Sequence, residues 1–146
     1  MINEEIPGIS TMSTEYKNAP ELSKYKWTKK KKVPITTLDN LIAIYGLPKY
    51  CKIDVEGFEA QVLKGLSNPI EFVSFEFHKW CFEEAEKCVR RLLKIGNVEF
   101  NFVLGESMNF ALHEWVPPEE LYKKIVETSY ILDDRFFWGD IYAKFL

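Results

Sequence analysis

At 146 residues the chain is one domain's worth of sequence, long enough to bury a core. Apolar residues make up 47% of it and aromatic residues 15%, which excludes a disordered chain on composition. A net charge of −3 leaves no broad basic footprint and argues against a general nucleic-acid binder.

Residues 1–32 read as an irregular N-terminal segment. Pro7-Gly8, Ser10, Thr11, Ser13, Thr14 and Pro20 are turn or cap formers, and apolar anchors are sparse. Ile6, Ile9 and Met12 suit one short strand or none, while Tyr16, Leu22, Tyr25 and Trp27 are available to pack onto the domain. The run Lys29 to Lys32 reads as a solvated loop rather than a phosphate-binding patch, because no aromatic–basic interleaving surrounds it.

A domain then spans residues 33–146. Val33 to Ile35 leads into a helix capped by Thr36 or Thr37, with Asp39 in the first turn where the helix dipole favours negative charge. Leu38, Leu41, Ile42 and Tyr45 form its apolar face, and Gly46 with Pro48 ends it. Tyr50 to Val55 predicts a buried strand with Asp54 at its end. Glu56-Gly57 breaks the run, after which Phe58, Val62, Leu63 and Leu66 recur at helical spacing until Gly65 to Pro69 stops the helix. Ile70 to Phe77 predicts a second buried strand, with Glu76 near its end. This strand–helix–strand unit is the crossover that parallel strands require.

Cys81, Ala85, Cys88, Leu92 and Ile95 form the apolar stripe of an amphipathic helix closed by Gly96-Asn97. Val98 to Leu104 predicts a strand with one wetter face. Pro117-Pro118 opens a helix with Glu119 and Glu120 in its first turn and Leu121, Tyr122, Ile125 and Val126 facing inward. Phe136 to Leu146 predicts a last, aromatic-rich strand. Helix and strand alternate throughout, so the fold class is α/β, a layered domain with helices on both faces of a sheet.

Cys51, Cys81 and Cys88 show no paired spacing and read as free thiols of a reducing cytoplasm. His78 and His113 are too few for a histidine-based metal cluster. No apolar run reaches membrane-spanning length, and the first residues lack a signal-peptide pattern. The predicted setting is cytoplasmic, with no membrane and no nucleic-acid partner.

Several motifs then occur in order. They are T-L-D-N-L-I (37–42), K-I-D-V-E-G-F-E (52–59), V-L-K-G-L (62–66), S-F-E-F (74–77), L-G-E-S-M-N (104–109), the Glu114-Trp115 pair and W-G-D-I-Y-A (138–143). Together they resemble the FkbM-type family of S-adenosylmethionine-dependent methyltransferases. The resemblance implies S-adenosylmethionine as cofactor and O-methylation of a sugar or small-metabolite hydroxyl, a glycan or small-molecule acceptor. It implies the last four strands of a Rossmann-like sheet, the final one antiparallel between its neighbours. Donor binding in such folds uses a glycine-rich turn after the first strand. None of the seven glycines here stands in a G-x-G arrangement, so the chain resembles the C-terminal half of the domain, without the donor-binding half.

Ligands of open α/β sheets sit outside the carboxyl ends of the strands. Asp54, Glu56 and Glu76 are the catalytic candidates on that ground. Asp54 suits orienting an acceptor or taking its proton, and alternatively capping the next helix. Glu56 stands between a site role and a turn role. Glu76, flanked by Phe75 and Phe77, either reaches the site or pairs with a buried cation. His78 and Asn109 are candidate substrate contacts, Glu59 a helix-start charge, and Asp140 a turn residue before the last strand. Asp54 and Glu76 could share a proton or bind a divalent ion; that pair alone assigns no metal site, and no residue is assigned to cofactor.

A non-catalytic remnant, or an interaction module that binds no S-adenosylmethionine by itself, is the alternative. In either case Tyr50–Val55 would be an edge strand with unpaired backbone groups, which predicts self-association or pairing with a complementary N-terminal fragment. Titration calorimetry of the purified chain with S-adenosylmethionine is expected to give no saturable heat. Saturable micromolar binding would place a donor site within these residues.

Overall fold

Alternation along one strand decides the architecture. The computed structural model describes residues 1–132 and 137–146. Strand β2, Phe72–His78, places Val73, Phe75 and Phe77 on one side and Phe72, Ser74, Glu76 and His78 on the other. Strand β1, Tyr50–Ile53, pairs parallel with β2, from Tyr50 opposite Phe72 to Ile53 opposite Phe75. Strand β4, Trp138–Phe145, pairs antiparallel with β2 and, on its other side, with β3, Val98–Leu104. The sheet order is β1-β2-β4-β3, so the last strand lies antiparallel between its neighbours, as the family resemblance implies.

The registers carry the alternation across the sheet. Ile53, Val73, Phe75, Phe77, Phe100, Phe102, Ile141 and Ala143 share one apolar face. Helices α3 (Glu59–Lys64), α4 (Phe82–Leu93) and α5 (Pro118–Leu132) cover it with Ala60 and Leu63, Ala85, Cys88, Val89 and Leu92, and Leu121 and Ile125. Helix α2, Leu38–Tyr45, packs Leu38 and Ile42 against the same cluster. The fold is mixed α/β, as predicted, but the layering is lopsided. The opposite face presents Lys52, Ser74, Glu76, His78, Asp140 and Lys144, side chains that an apolar helix stripe does not cover. Among the described helices only the four-residue α1, Thr14–Lys17, comes to it, through the Tyr16 ring 6.0 Å from that of His78.

The chain N-terminal to α2 folds over the carboxyl end of the strands. It comprises two 3-10 turns and α1, tied by a bridge between Ile2 and Lys29, with a small cluster of Tyr16, Ala19, Leu22, Tyr25, Trp27 and Trp80 beneath it. Across the second face, the loop after β3 is held by Asn101, which is 2% exposed. Its Nδ2 donates to the carbonyls of Leu112 (3.0 Å) and Glu114 (3.3 Å), and its Oδ1 accepts from Leu112 N–H.

Several details differ from the sequence pattern. β1 stops at Ile53, not Val55, because Glu56 (φ 54°) and Gly57 (φ 81°) turn the backbone left-handed immediately after. Cys81 lies in a 3-10 turn, Lys79–Cys81, ahead of α4 rather than on its stripe. Tyr45 of α2 and Val126 of α5 are exposed, Tyr45 at 81%, because the apolar core reaches only one side of each helix. Asp140 is not a turn residue; it sits inside β4. Phe136, where the pattern starts the last strand, lies outside the described residues. Thr37, one of the two candidate caps, accepts from Asn40 N–H at 3.1 Å and closes the start of α2. The Asp39 carboxylate takes Ser67 N–H at 2.8 Å, so it joins α2 to the loop after α3 rather than serving its own helix alone. Among the described residues no helix is long and apolar enough to cross a membrane.

β4 must pass close to β3 at Gly139, where an added Cβ would lie 2.0 Å from the Val103 carbonyl oxygen. Gly139→Ala is expected to cost at least about 1–3 kcal/mol in urea unfolding, the usual toll of overpacking. Unchanged stability would mean that the β3–β4 spacing yields freely.

Candidate functional site

The carboxyl ends of β1 and β2 lie side by side, and their loops decide which side chains meet there. Glu76 and His78 are two apart on β2, so both leave the polar face, and Glu76 Oε2 lies 3.1 Å from His78 Nε2. Glu56 arrives from the turn after β1. That turn is clasped by Glu59, whose Oε1 accepts from Val55 N–H (3.1 Å) and Gly57 N–H (3.3 Å). Thr11 Oγ1 donates to the Glu56 carbonyl at 2.6 Å, and the Tyr16 hydroxyl donates to Glu56 Oε2. Glu56, Glu76 and His78 thereby bring one donor atom each to within 4.8 Å of one another.

Aromatic rings wall this cluster. His78 stacks on Trp80 with centroids 5.1 Å apart and planes 23° apart, and Tyr16 tilts against both rings. A cavity of about 270 Å³ opens beside them, bounded also by Tyr25, Leu22 and Trp138.

Burial pushes the Glu56 carboxyl up to about 7; the Tyr16 hydrogen bond and His78 oppose that rise, and the negative charges of Glu76 and Asp54 add to it. Burial likewise raises the Glu59 carboxyl against the pull of its backbone N–H bonds. Tyr16 is driven well above the ordinary tyrosine range by burial and then by Glu56. Lys52 lies 2.9 Å from Asp140 Oδ2 and 3.6 Å from Asp54 Oδ2. Burial works against its charge, but Asp140 and then Asp54 more than offset this and raise its value.

The predicted residues thus divide. Glu56, Glu76 and His78 are brought together. Asp54 stays outside that group, half-exposed and turned to Lys52, and it does not cap α3, whose N-cap residue is Phe58. Asn109 lies on the exposed loop after β3, where its carbonyl accepts from Ser107 Oγ at 3.3 Å. Glu59 is no mere helix-start charge: it is 3% exposed and fixes the turn that carries Glu56. Its spacing of four residues after Val55 was the available signal. Tyr16 and Thr11 carry no such signal, since they reach Glu56 only through tertiary folding.

The profile of the methyltransferase FkbM domain matches residues 3–115. The chain belongs to the FkbM methyltransferase family. The match takes in the N-terminal segment, β1, β2, β3 and the Glu56–Glu76–His78 cluster of this FkbM domain. No curated protein and no solved structure matches it.

The family implies S-adenosylmethionine as methyl donor. A glycine turn leading into a helix N-terminus is the usual cradle for such a nucleoside ligand. The N-cap residues of α1 to α4 here are Ser13, Thr37, Phe58 and Cys81, and α5 starts at Pro118. Gly57 does precede the N-cap of α3, but its backbone N–H is taken by Glu59 Oε1 at 3.3 Å, so that turn does not offer it to a donor.

The raised Glu56 value has a direction in pH. Below about 4.5 the group is protonated whether folded or not; between there and about 7 only the folded chain keeps the proton. Its contribution to stability is present at acid pH and lost as pH rises through about 7. In chelator-containing buffer, Glu56→Gln is expected to gain stability relative to the parent between about pH 5 and pH 8, read by urea unfolding at each pH. A constant difference would mean that Glu56 ionises as freely as in the unfolded chain.

Proposed function

We propose that this chain is the acceptor-side part of an S-adenosylmethionine-dependent O-methyltransferase, and that it holds a hydroxyl of a sugar or small metabolite at Glu56, Glu76 and His78. One observation carries the reading: two carboxylates and an imidazole from adjacent strand ends converge on an aromatic-walled cavity in a chain of the FkbM family. Carboxylate oxygens accept hydrogen bonds from sugar hydroxyls, while the rings of Trp80, Trp138 and Tyr16 offer flat apolar surface to the sugar's C–H face. At about 270 Å³ the cavity is small among ligand pockets, which favours one ring over an oligosaccharide. Asp54, beside the cluster and tethered to Lys52, is read as a charge that tunes the site.

The donor is held by a second polypeptide in this reading, a complementary donor-binding segment or a second copy. The edge of β1, unpaired among the described residues, supports it, as do the exposed side chains of Val33, Ile35, Ile44, Tyr45, Leu47 and Tyr50 in that strand and the chain leading to it. Leaving such side chains in water forgoes about 1.5–3 kcal/mol each relative to burial. The same edge favours the second reading, a cytoplasmic interaction module without catalysis of its own.

Amide NMR of the chain against a panel of neutral monosaccharides separates the two readings. The acceptor reading expects shifts confined to residues around Glu56, Glu76, His78 and Trp80 that weaken at least about tenfold in Glu76→Gln. No sugar-dependent shift anywhere would sink it and leave the interaction module.

A further inference from the structure

The same end of the sheet gathers more negative charge than its neighbours balance. Glu56, Glu76 and Asp140 lie there with Asp54 at the exposed margin, and among the described residues Lys52 and His78 are the basic groups paired with them. Glu76 and Asp140 face each other in the β2–β4 register and so share the polar face. Asp140 is only 9% exposed, and its Oδ1 is buried with no hydrogen-bond partner among the described residues. Lys52 pairs with the other oxygen, Oδ2, at 2.9 Å, while a buried Oδ1 without a partner is costly and leaves acceptor capacity on the polar face unused. Asp140 thus adds a buried acid directly opposite Glu76 on the polar face.

We propose that Glu56, Glu76 and His78 bind one divalent transition-metal ion. Their donor atoms come from two elements and already lie within 4.8 Å of one another. An ion about 2.0–2.3 Å from each donor holds neighbouring donors roughly 3–4 Å apart, so side-chain shifts of up to about an ångström complete the set. Two carboxylates and one imidazole suit Mn²⁺, Fe²⁺ or Zn²⁺ better than Mg²⁺ or Ca²⁺, which prefer all-oxygen shells. The surrounding contacts are those a metal site uses to orient its ligands. The Tyr16 hydroxyl takes Glu56 Oε2 and leaves the other oxygen for the ion, and Trp80 stacks on the His78 ring. Three protein ligands leave coordination positions open toward the cavity of about 270 Å³. The metal site stands on this geometry; its use as a Lewis acid on an acceptor hydroxyl rests on the reading given above.

The test uses the whole chain, stripped with chelator and titrated with MnCl₂. Loss of the free-Mn²⁺ electron paramagnetic resonance signal should give one equivalent bound, with paramagnetic broadening of amides centred on residues 54–58 and 76–80. Glu76→Gln and His78→Gln, each shown folded by circular dichroism, should weaken binding at least about tenfold. Glu119→Gln on α5 should not change it. Absence of binding, or binding that both ligand variants retain, overturns the proposal. Monosaccharide shifts measured in excess chelator keep the two ideas apart: shifts without metal binding would remove the ion and leave the acceptor pocket in place.

Discussion

The two-residue period of β2 ties the core of this protein to its site. Phe75 and Phe77 point into the apolar cluster and are shielded by α4, while Glu76 and His78, interleaved with them, point to the polar face. A slip of one residue in the pairing with β4 would bury Glu76 and His78 and expose the phenylalanines. Each hydrophobic contact of β2 therefore also fixes where its carboxylate and imidazole stand. β1 and β4 clamp the strand from both sides, β4 over seven consecutive pairs from Phe72 to His78. The backbone that carries Glu76 and His78 is therefore held in the same paired strand as the core phenylalanines.

Glu56 reaches the same place by a different route. Its backbone is left-handed at φ 54°, a conformation that costs a residue with a side chain roughly 1–2 kcal/mol. The turn is stable because the buried Glu59 carboxylate takes two of its N–H groups and Thr11 takes its carbonyl. Gly57 follows at φ 81°, and a Cβ there would fall 2.8 Å from the Tyr16 ring. So the N-terminal segment, poor in apolar anchors, is built into the candidate site. It supplies Thr11 to the turn, Tyr16 to Glu56, and Leu22 and Tyr25 to the cavity wall.

The bare face and the β1 edge complete the picture. A sheet whose second face carries, among the described residues, no helix longer than the four-residue α1 leaves Tyr50, Phe72, Phe110, Trp115 and Tyr142 around a second cavity of about 490 Å³. These rings pack on each other, Tyr50 and Tyr142 stacked within 3° of parallel, so the surface is ordered without a helix above it. Acids and a cavity stand at one end of this face and aromatic surface at the other. That division fits a domain that meets a small polar ligand at the strand ends and another polypeptide along its flank.

Local signals in the chain were enough for most elements. Gly and Pro punctuation, a capping threonine and clean periodicity located α2, α3, α4 and four strands, and the ordered motifs pointed to the FkbM family before any coordinates. Strand-end acids could be named for the same reason, since an acid at the end of an apolar run is visible in a line of text. What the line could not show was which acids meet. Asp54 looked the better placed of the pair around Val55, yet the left-handed turn carries Glu56 to Glu76 and His78 and leaves Asp54 with Lys52. Glu59, Thr11 and Tyr16 decide that outcome through hydrogen bonds, two of them spanning 40 residues or more. By itself the sequence determined the family, the elements and the supply of acids, because those depend on neighbours in the chain. Only the tertiary structure decided the site, because it depends on neighbours in space.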